Sequence, residues 1–133
     1  LIQDVIELYK GYKDVKINLI HDGEIKPVLL DYQGFKRVLI NIIDNAIKAM
    51  NAKGEITISV KLNNNLQIEI ADTGPGVDDE IKEKLFLPYF SKNKEGTGLG
   101  LTIARKIVTE HDGRIFVMDN KPSGTIFKIE VPA

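Results

Sequence analysis

Arg37, Asn41, Asn45 and Lys48 follow one another at spacings of four, four and three residues. On a helix, that spacing gathers them into one polar stripe. An asparagine side-chain oxygen is a neutral hard ligand suited to Mg2+, which prefers oxygen and keeps several waters. A lysine one turn further on is placed to meet a phosphate. The same stripe also reads as a solvated helix face, although two asparagines in a helix interior carry a modest propensity cost. A second group is Asp72-Thr73-Gly74-Pro75-Gly76. A carboxylate at the end of a strand can accept a hydrogen bond from the exocyclic amine of adenine, whereas guanine would present a carbonyl there. An unpaired buried acceptor costs roughly 1–3 kcal/mol, so one such residue favours adenine by about ten- to a hundred-fold. The competing reading is a plain Asp-Thr-Gly-Pro turn.

Gly96-Thr97-Gly98-Leu99-Gly100 stands at the start of a helical pattern. Glycines permit close backbone approach, and free N–H groups with the helix dipole favour an anion, so a phosphate loop and a flexible hinge both fit. It is not a Walker loop, since no Lys-Ser/Thr pair follows, and no strand abuts the glycines as a dinucleotide fold requires. Gly124-Thr125 opens the last strand pattern, and the Thr125 hydroxyl is placed either to support Asp72 or simply as a β-branched strand residue. Phe86-Leu87-Pro88-Tyr89-Phe90 is an aromatic cluster in a polar loop, read equally as a lid or docking anchor and as a local core plug.

These groups need elements to carry them. Ile2, Val5, Ile6 and Tyr9 recur at helical spacing, with Gly11 as the end of a short helix. Val15, Ile17 and Leu19 alternate as a half-buried strand. Phe35, Val38, Leu39, Ile42, Ile43, Ala46, Ile47 and Met50 trace the apolar stripe of a long helix, with Gly54 as its exit. Alternation at Ile56–Leu62 and Leu66–Ile70 around Asn63-Asn64-Asn65 predicts a hairpin. A short helix is expected over Asp78–Leu85 and a further one through Leu101, Ala104, Ile107 and Val108. Strands Arg114–Met118 and Thr125–Val131 close the chain. This order predicts an α+β, two-layer α/β sandwich: one mixed, mainly antiparallel sheet with helices on one face.

Bulk properties narrow the classes. The 133 residues suit one domain, and 43% hydrophobic with 28% charged residues is ordinary for a globule. A net charge of -1 argues against nucleic acid as the main partner. No apolar run approaches the ~20 residues of a membrane span. With no cysteine there is no disulfide, thiol nucleophile or thiolate metal site. His21 and His111 lack the spacing of a metal site. The abrupt start, in a helical pattern without methionine, suggests a piece of a longer protein.

The four motifs, in this order and together with the aromatic cluster, resemble the N, G1, F, G2 and G3 boxes of the catalytic, ATP-binding domain of sensor histidine kinases over residues 31–131. That domain belongs to the superfamily of gyrase, Hsp90 and MutL. The detail looks most like nitrogen-regulation-type kinases, with Asp31 opening the long helix. The resemblance implies a Bergerat-type sandwich in which Thr73 to Thr97 form an ATP lid. Residue by residue, it implies that Asn45 coordinates Mg2+ on the triphosphate with Asn41 nearby, and that Lys48 contacts phosphate. Asp72 would bind the adenine amine with Thr125 behind it, and Gly74 and Gly76 would line the base pocket. Gly96, Thr97, Gly98, Leu99 and Gly100 would wrap the phosphates. The implied cofactors are ATP and Mg2+, and no residue of this chain is assigned a catalytic role.

Three departures bear on that reading. Relatives that hydrolyse ATP carry glutamate where this chain has Asn41; an asparagine cannot take a proton from water at neutral pH, so free hydrolysis should be slow. Ser91-Lys92-Asn93-Lys94 replaces the Thr-Thr-Lys or Thr-Thr-Arg of many close relatives, leaving open which lysine reaches the γ-phosphate. Asp112 stands where relatives often have glycine, far from the site motifs. No His-Glu pair on a long helix offers a phosphoacceptor. The chain is therefore expected to bind ATP, to need a dimerisation and phosphoacceptor domain elsewhere, and to be a monomer alone, with residues 1–12 as a remnant linker helix. A response regulator downstream and a cytoplasmic location follow, whether or not the parent is membrane-anchored. A gyrase- or MutL-like ATPase, a serine kinase of anti-sigma-factor partners and a docking module without phosphotransfer are the alternatives. The glycine-rich lid is expected to be mobile.

Overall fold

The apolar stripe beginning at Phe35 has only one way to leave water, and the fold is built around that burial. The computed structural model describes residues 1–21, 30–88 and 99–132. Helix α1 spans Ile2–Glu7, α2 spans Tyr32–Ala49, α3 spans Asp79–Lys82 and α4 spans Gly100–Glu110. The strands are β1 (Val15–His21), β2 (Gly54–Leu62), β3 (Asn65–Asp72), β4 (Arg114–Asp119) and β5 (Thr125–Pro132). They form one sheet in the order β1-β2-β3-β5-β4, with β1 parallel to β2 and the other pairs antiparallel. This is the mixed, mainly antiparallel α+β sandwich that the patterning predicts.

Alternation along the strands decides which side the helices cover. Ile56, Ile58 and Val60 of β2, Leu66, Ile68 and Ile70 of β3, and Phe127, Ile129 and Val131 of β5 all face one core. Phe35, Val38, Leu39, Ile42 and Ile43 of α2 and Ala104 and Val108 of α4 complete it, and most of these are fully buried. The intervening residues, such as Thr57, Glu69 and Lys128, lie on the opposite face and stay half-buried. Register follows the same constraint: Ile58 opposes Ile70, and Ile68 opposes Ile129, so a one-residue slip would turn the whole apolar set to the wrong face.

Boundaries depart slightly from expectation. α1 ends at Glu7, and i+3 turns carry the chain on to Tyr12, so Gly11 falls in the turns. α2 closes at Met50, after which Asn51 and Ala52, both at positive φ, turn the chain into Gly54, the first residue of β2. The short helix expected over Asp78–Leu85 is α3 followed by a 3-10 turn, Glu83–Phe86. Asp31 takes the N-cap position of α2.

α1 is fastened to α2 by a polar pin. The Tyr9 ring is buried, and its hydroxyl donates to Asp44 Oδ1 at 2.8 Å; on the surface the Tyr32 hydroxyl donates to Asp4 Oδ2 at 2.6 Å. Burial, and then the Asp44 carboxylate, push the Tyr9 phenol well above its ordinary value of 10.0. A raised phenol favours folding fully below pH 10 and loses that contribution as pH climbs through the higher folded value. Tyr9→Phe is expected to lower stability by about 1–2 kcal/mol at pH 7. In urea unfolding, the gap from the unaltered chain should narrow at strongly alkaline pH; a constant gap would show that the hydroxyl does not matter to this joint.

Candidate functional site

The last residue of β3 carries a carboxylate into the interior. Asp72 is 2% exposed, and its Oδ1 accepts the N–H of Gly74 at 2.9 Å and of Thr125 at 3.2 Å. Burial raises its pKa above the ordinary carboxylate value, and the two backbone N–H bonds partly offset that shift. Both donors land on Oδ1, so among the described residues Oδ2 is the acceptor left over. Thr125 meets Asp72 through its amide rather than through its hydroxyl.

The collar around Asp72 is made of bare backbone. A Cβ on Gly124, at φ +110, would stand 1.9 Å from the Asp72 carbonyl oxygen, so only glycine fits there. Gly76, at φ +83, lies against the same residue: its Cβ would meet Gly124 O at 3.2 Å. A Cβ on Gly74 would press on Met50 Cγ at 3.3 Å, which shows how closely this turn rests on the end of α2. Thr73 strengthens that contact, accepting the Glu55 N–H at 3.0 Å and facing Met50 Sδ at 3.6 Å.

Along α2, the polar stripe divides by role. Asn41 Nδ2 donates to the Gly100 carbonyl at 2.9 Å and so pins the first turn of α4 to α2. Asn45, one turn on, is half-buried, while Arg37 and Lys48 are exposed. Leu99 and Gly100 begin α4 beside this stripe. Gly96, Thr97 and Gly98 lie outside the described residues, as do Tyr89, Phe90 and Ser91 to Lys94. Among the described residues no group of three or more His, Asp or Glu could hold a metal. Mg2+ usually binds through one or two protein oxygens plus substrate phosphates, and the side-chain oxygen of the half-buried Asn45 is a donor of that kind.

Phe86 resolves as a core plug. It is 6% exposed, meets Phe127 edge-on at 6.3 Å, and carries the Arg105 guanidinium 5.1 Å above its ring. Thr102 Oγ1 donates to its carbonyl at 2.8 Å, and Lys82 bridges to Asp119 at 2.9 Å, so residues 79–86 are fastened to α4 and to the end of β4. His111 packs edge-on against Phe35 at 4.7 Å with Nδ1 2.9 Å from Ile107 O, a structural placement. Among the described residues no helix is long and apolar enough to cross a membrane.

The sheet thus ends in a buried carboxylate on a glycine collar, with the asparagine-bearing α2 packed over the same sheet. The chain belongs to the family of histidine kinase-, DNA gyrase B- and HSP90-like ATPases, whose model matches residues 30–133. It is 34% identical to the adaptive-response sensory kinase SasA of Rippkaea orientalis, over 99% of this chain and 36% of that protein. It is 36% identical to the signal transduction histidine-protein kinase AtoS of Escherichia coli, over 84% of this chain and 19% of that protein. The chain thus spans about a third or less of these kinases. The catalytic domain of histidine kinase ThkA superposes with a TM-score of 0.89 at 34% identity, covering 98% of this chain and 89% of that one. The fold is therefore that of the ATP-binding catalytic domain of histidine kinases.

Two residues of the site escaped sequence reasoning. Asn120 donates from Nδ2 to the Asp72 carbonyl at 2.7 Å, yet an asparagine in Asp-Asn-Lys-Pro-Ser-Gly reads simply as a turn former. Met50 belongs to the apolar stripe, and nothing local marks it as a floor under Gly74.

A buried acid with a raised pKa costs stability above the ordinary carboxylate range and regains it as pH falls through the folded value. Asp72→Asn keeps an oxygen for the two amides and removes the charge. It should raise the melting temperature at pH 7, with an advantage that shrinks toward pH 4. A variant less stable than the unaltered chain at every pH would contradict that balance.

Proposed function

We propose that this chain binds Mg2+-ATP between α2, the Asp72 collar and the start of α4, and donates the γ-phosphoryl group to a histidine on a dimerisation domain outside these residues. The observation that carries the reading is Asp72, whose Oδ1 is held by two backbone amides and whose Oδ2 remains for the adenine amine. Gly74 and Gly76 line the base pocket, and Thr125 holds the carboxylate from behind. Asn45 supplies an oxygen to Mg2+, Asn41 orders the neighbouring turn of α4, and Lys48 meets phosphate. Gly96, Thr97, Gly98, Leu99 and Gly100 wrap the phosphates. When bound, the metal neutralises triphosphate charge.

In the transfer, the bond from the γ-phosphorus to its bridging oxygen breaks and one to an imidazole nitrogen forms, with ADP leaving. Such chemistry depends on positioning and charge rather than on a protein base. Asn41 agrees with this, because an amide cannot deprotonate water, and hydrolysis stays slow. Thr73 to Thr97 serve as the lid, whose first part is anchored through Phe86 and Lys82. Residues 1–12 serve as a linker helix toward the dimerisation domain, and this chain alone is a monomer. The partner downstream is a response regulator, a reading supported by ThkA, whose structure in complex with the response regulator protein TrrA matches this fold with a TM-score of 0.84. A cytoplasmic location suits such a partner.

Calorimetric titration with ATP and GTP, with and without Mg2+, tests the reading. Saturable, metal-dependent binding that prefers ATP is expected, and Asp72→Asn should weaken ATP by about ten- to a hundred-fold. Asn45→Ala should remove most of the Mg2+ dependence while sparing metal-free binding. No binding at millimolar ATP would sink the proposal.

A further inference from the structure

We propose that Asn120 is a positioning residue for adenine selectivity, setting the place of the free Asp72 oxygen by holding the Asp72 backbone. The inference rests on the adenine-reading role given to Asp72 above. Asn120 Nδ2 donates to the Asp72 carbonyl at 2.7 Å across 48 residues of sequence. Its Oδ1 accepts the Lys121 N–H at 2.9 Å, and its own N–H donates to Gly124 O at 3.0 Å. An oxygen that accepts a backbone N–H leaves the amine end facing the carbonyl, so the amide orientation is fixed by its partners. The backbone of Asn120 closes the β4–β5 loop on Gly124, and its side chain ties that loop to β3.

The position in the ladder explains why this tie matters. Regular β3–β5 pairing ends at Ala71 opposite Ile126. Beyond it, the Thr125 amide turns to the Asp72 carboxylate, and Gly124 lies against the Asp72 carbonyl with no room for a side chain. The Asp72 peptide is therefore steered from the β5 side by the loop that Asn120 closes. On its other flank, the loop faces Pro75 to Asp78 across an open cleft of about 300 Å3, so it has room to shift once the amide is gone. A hydrogen bond to a base tolerates only about half an ångström in length before it weakens. The carbonyl that Asn120 holds leads directly into the turn whose Gly74 amide fixes the Asp72 carboxylate, so a shift of one is passed to the other.

The test is titration of the chain, with Mg2+ present, with ATP and with purine riboside triphosphate, which lacks the 6-amino group. Melting temperatures are recorded alongside. Asn120→Ala should cut the preference for ATP by about three- to tenfold while leaving affinity for the amine-free nucleotide unchanged. Asn120→Asp, which sets a carboxylate against a carbonyl, should cut it further. In an Asp72→Asn background, Asn120→Ala should change nothing more. Selectivity equal to that of the unaltered chain, with or without a lower melting temperature, would overturn the proposal by making Asn120 a structural tie alone. Should Asn120→Ala not fold, Asn120→Ser, with a shorter donor, is read by the same ratio. Equal binding of both nucleotides by the unaltered chain is a different failure: it removes the base-reading role of Asp72, and this inference with it.

Discussion

Asp72 sits in the interior with a carboxylate that burial disfavours, and much of the site's architecture can be traced to how that carboxylate is held. A buried acceptor needs donors, and side-chain donors would fill the space beside the carboxylate. Backbone amides solve this, because Gly74 and Thr125 bring N–H groups without bulk. The solution requires three chain segments to converge on one residue: the end of β3, the turn after it and the start of β5. Convergence that tight excludes Cβ atoms, which is why Gly124 lies against a carbonyl and Gly76 lies against Gly124.

α2 links this collar to the start of α4. Its apolar stripe is sunk into the sheet, which fixes the rotation of the helix and thereby the direction of the opposite stripe. Asn41 then reaches α4, and Met50 at the far end supports the turn after Asp72. A helix held along its apolar side, tied near its middle to α4 and resting at its end against the Gly74 turn, is a firm floor. Preorganisation of this kind lets a site act through position and charge without a protein base.

Much of this was legible in the residue pattern. The α2 stripe, the Asn63–Asn65 hairpin and the strand pair near the C-terminus each follow from periodicity, and the fold class follows from their order. The shortfalls share a cause. Phe86 reads equally well as a lid anchor or a core plug until Phe127 and Arg105 are seen around it. Thr125 points by its type to a hydroxyl contact, but strand geometry delivers its amide to Asp72. Asn120 looks like any turn asparagine because its partner lies 48 residues away.

The sequence by itself determined the elements, the family motifs and the chemistry available at Asn45, Asp72 and the glycines, since those depend on residue type and local spacing. Only the tertiary structure decided which oxygen of Asp72 is engaged, that the Asn41 amide is spent on α4, and that the β4–β5 loop is tied to the end of β3. Hydrogen-bond partners are chosen by three-dimensional proximity at tenths of an ångström, and a one-dimensional pattern carries no such distances.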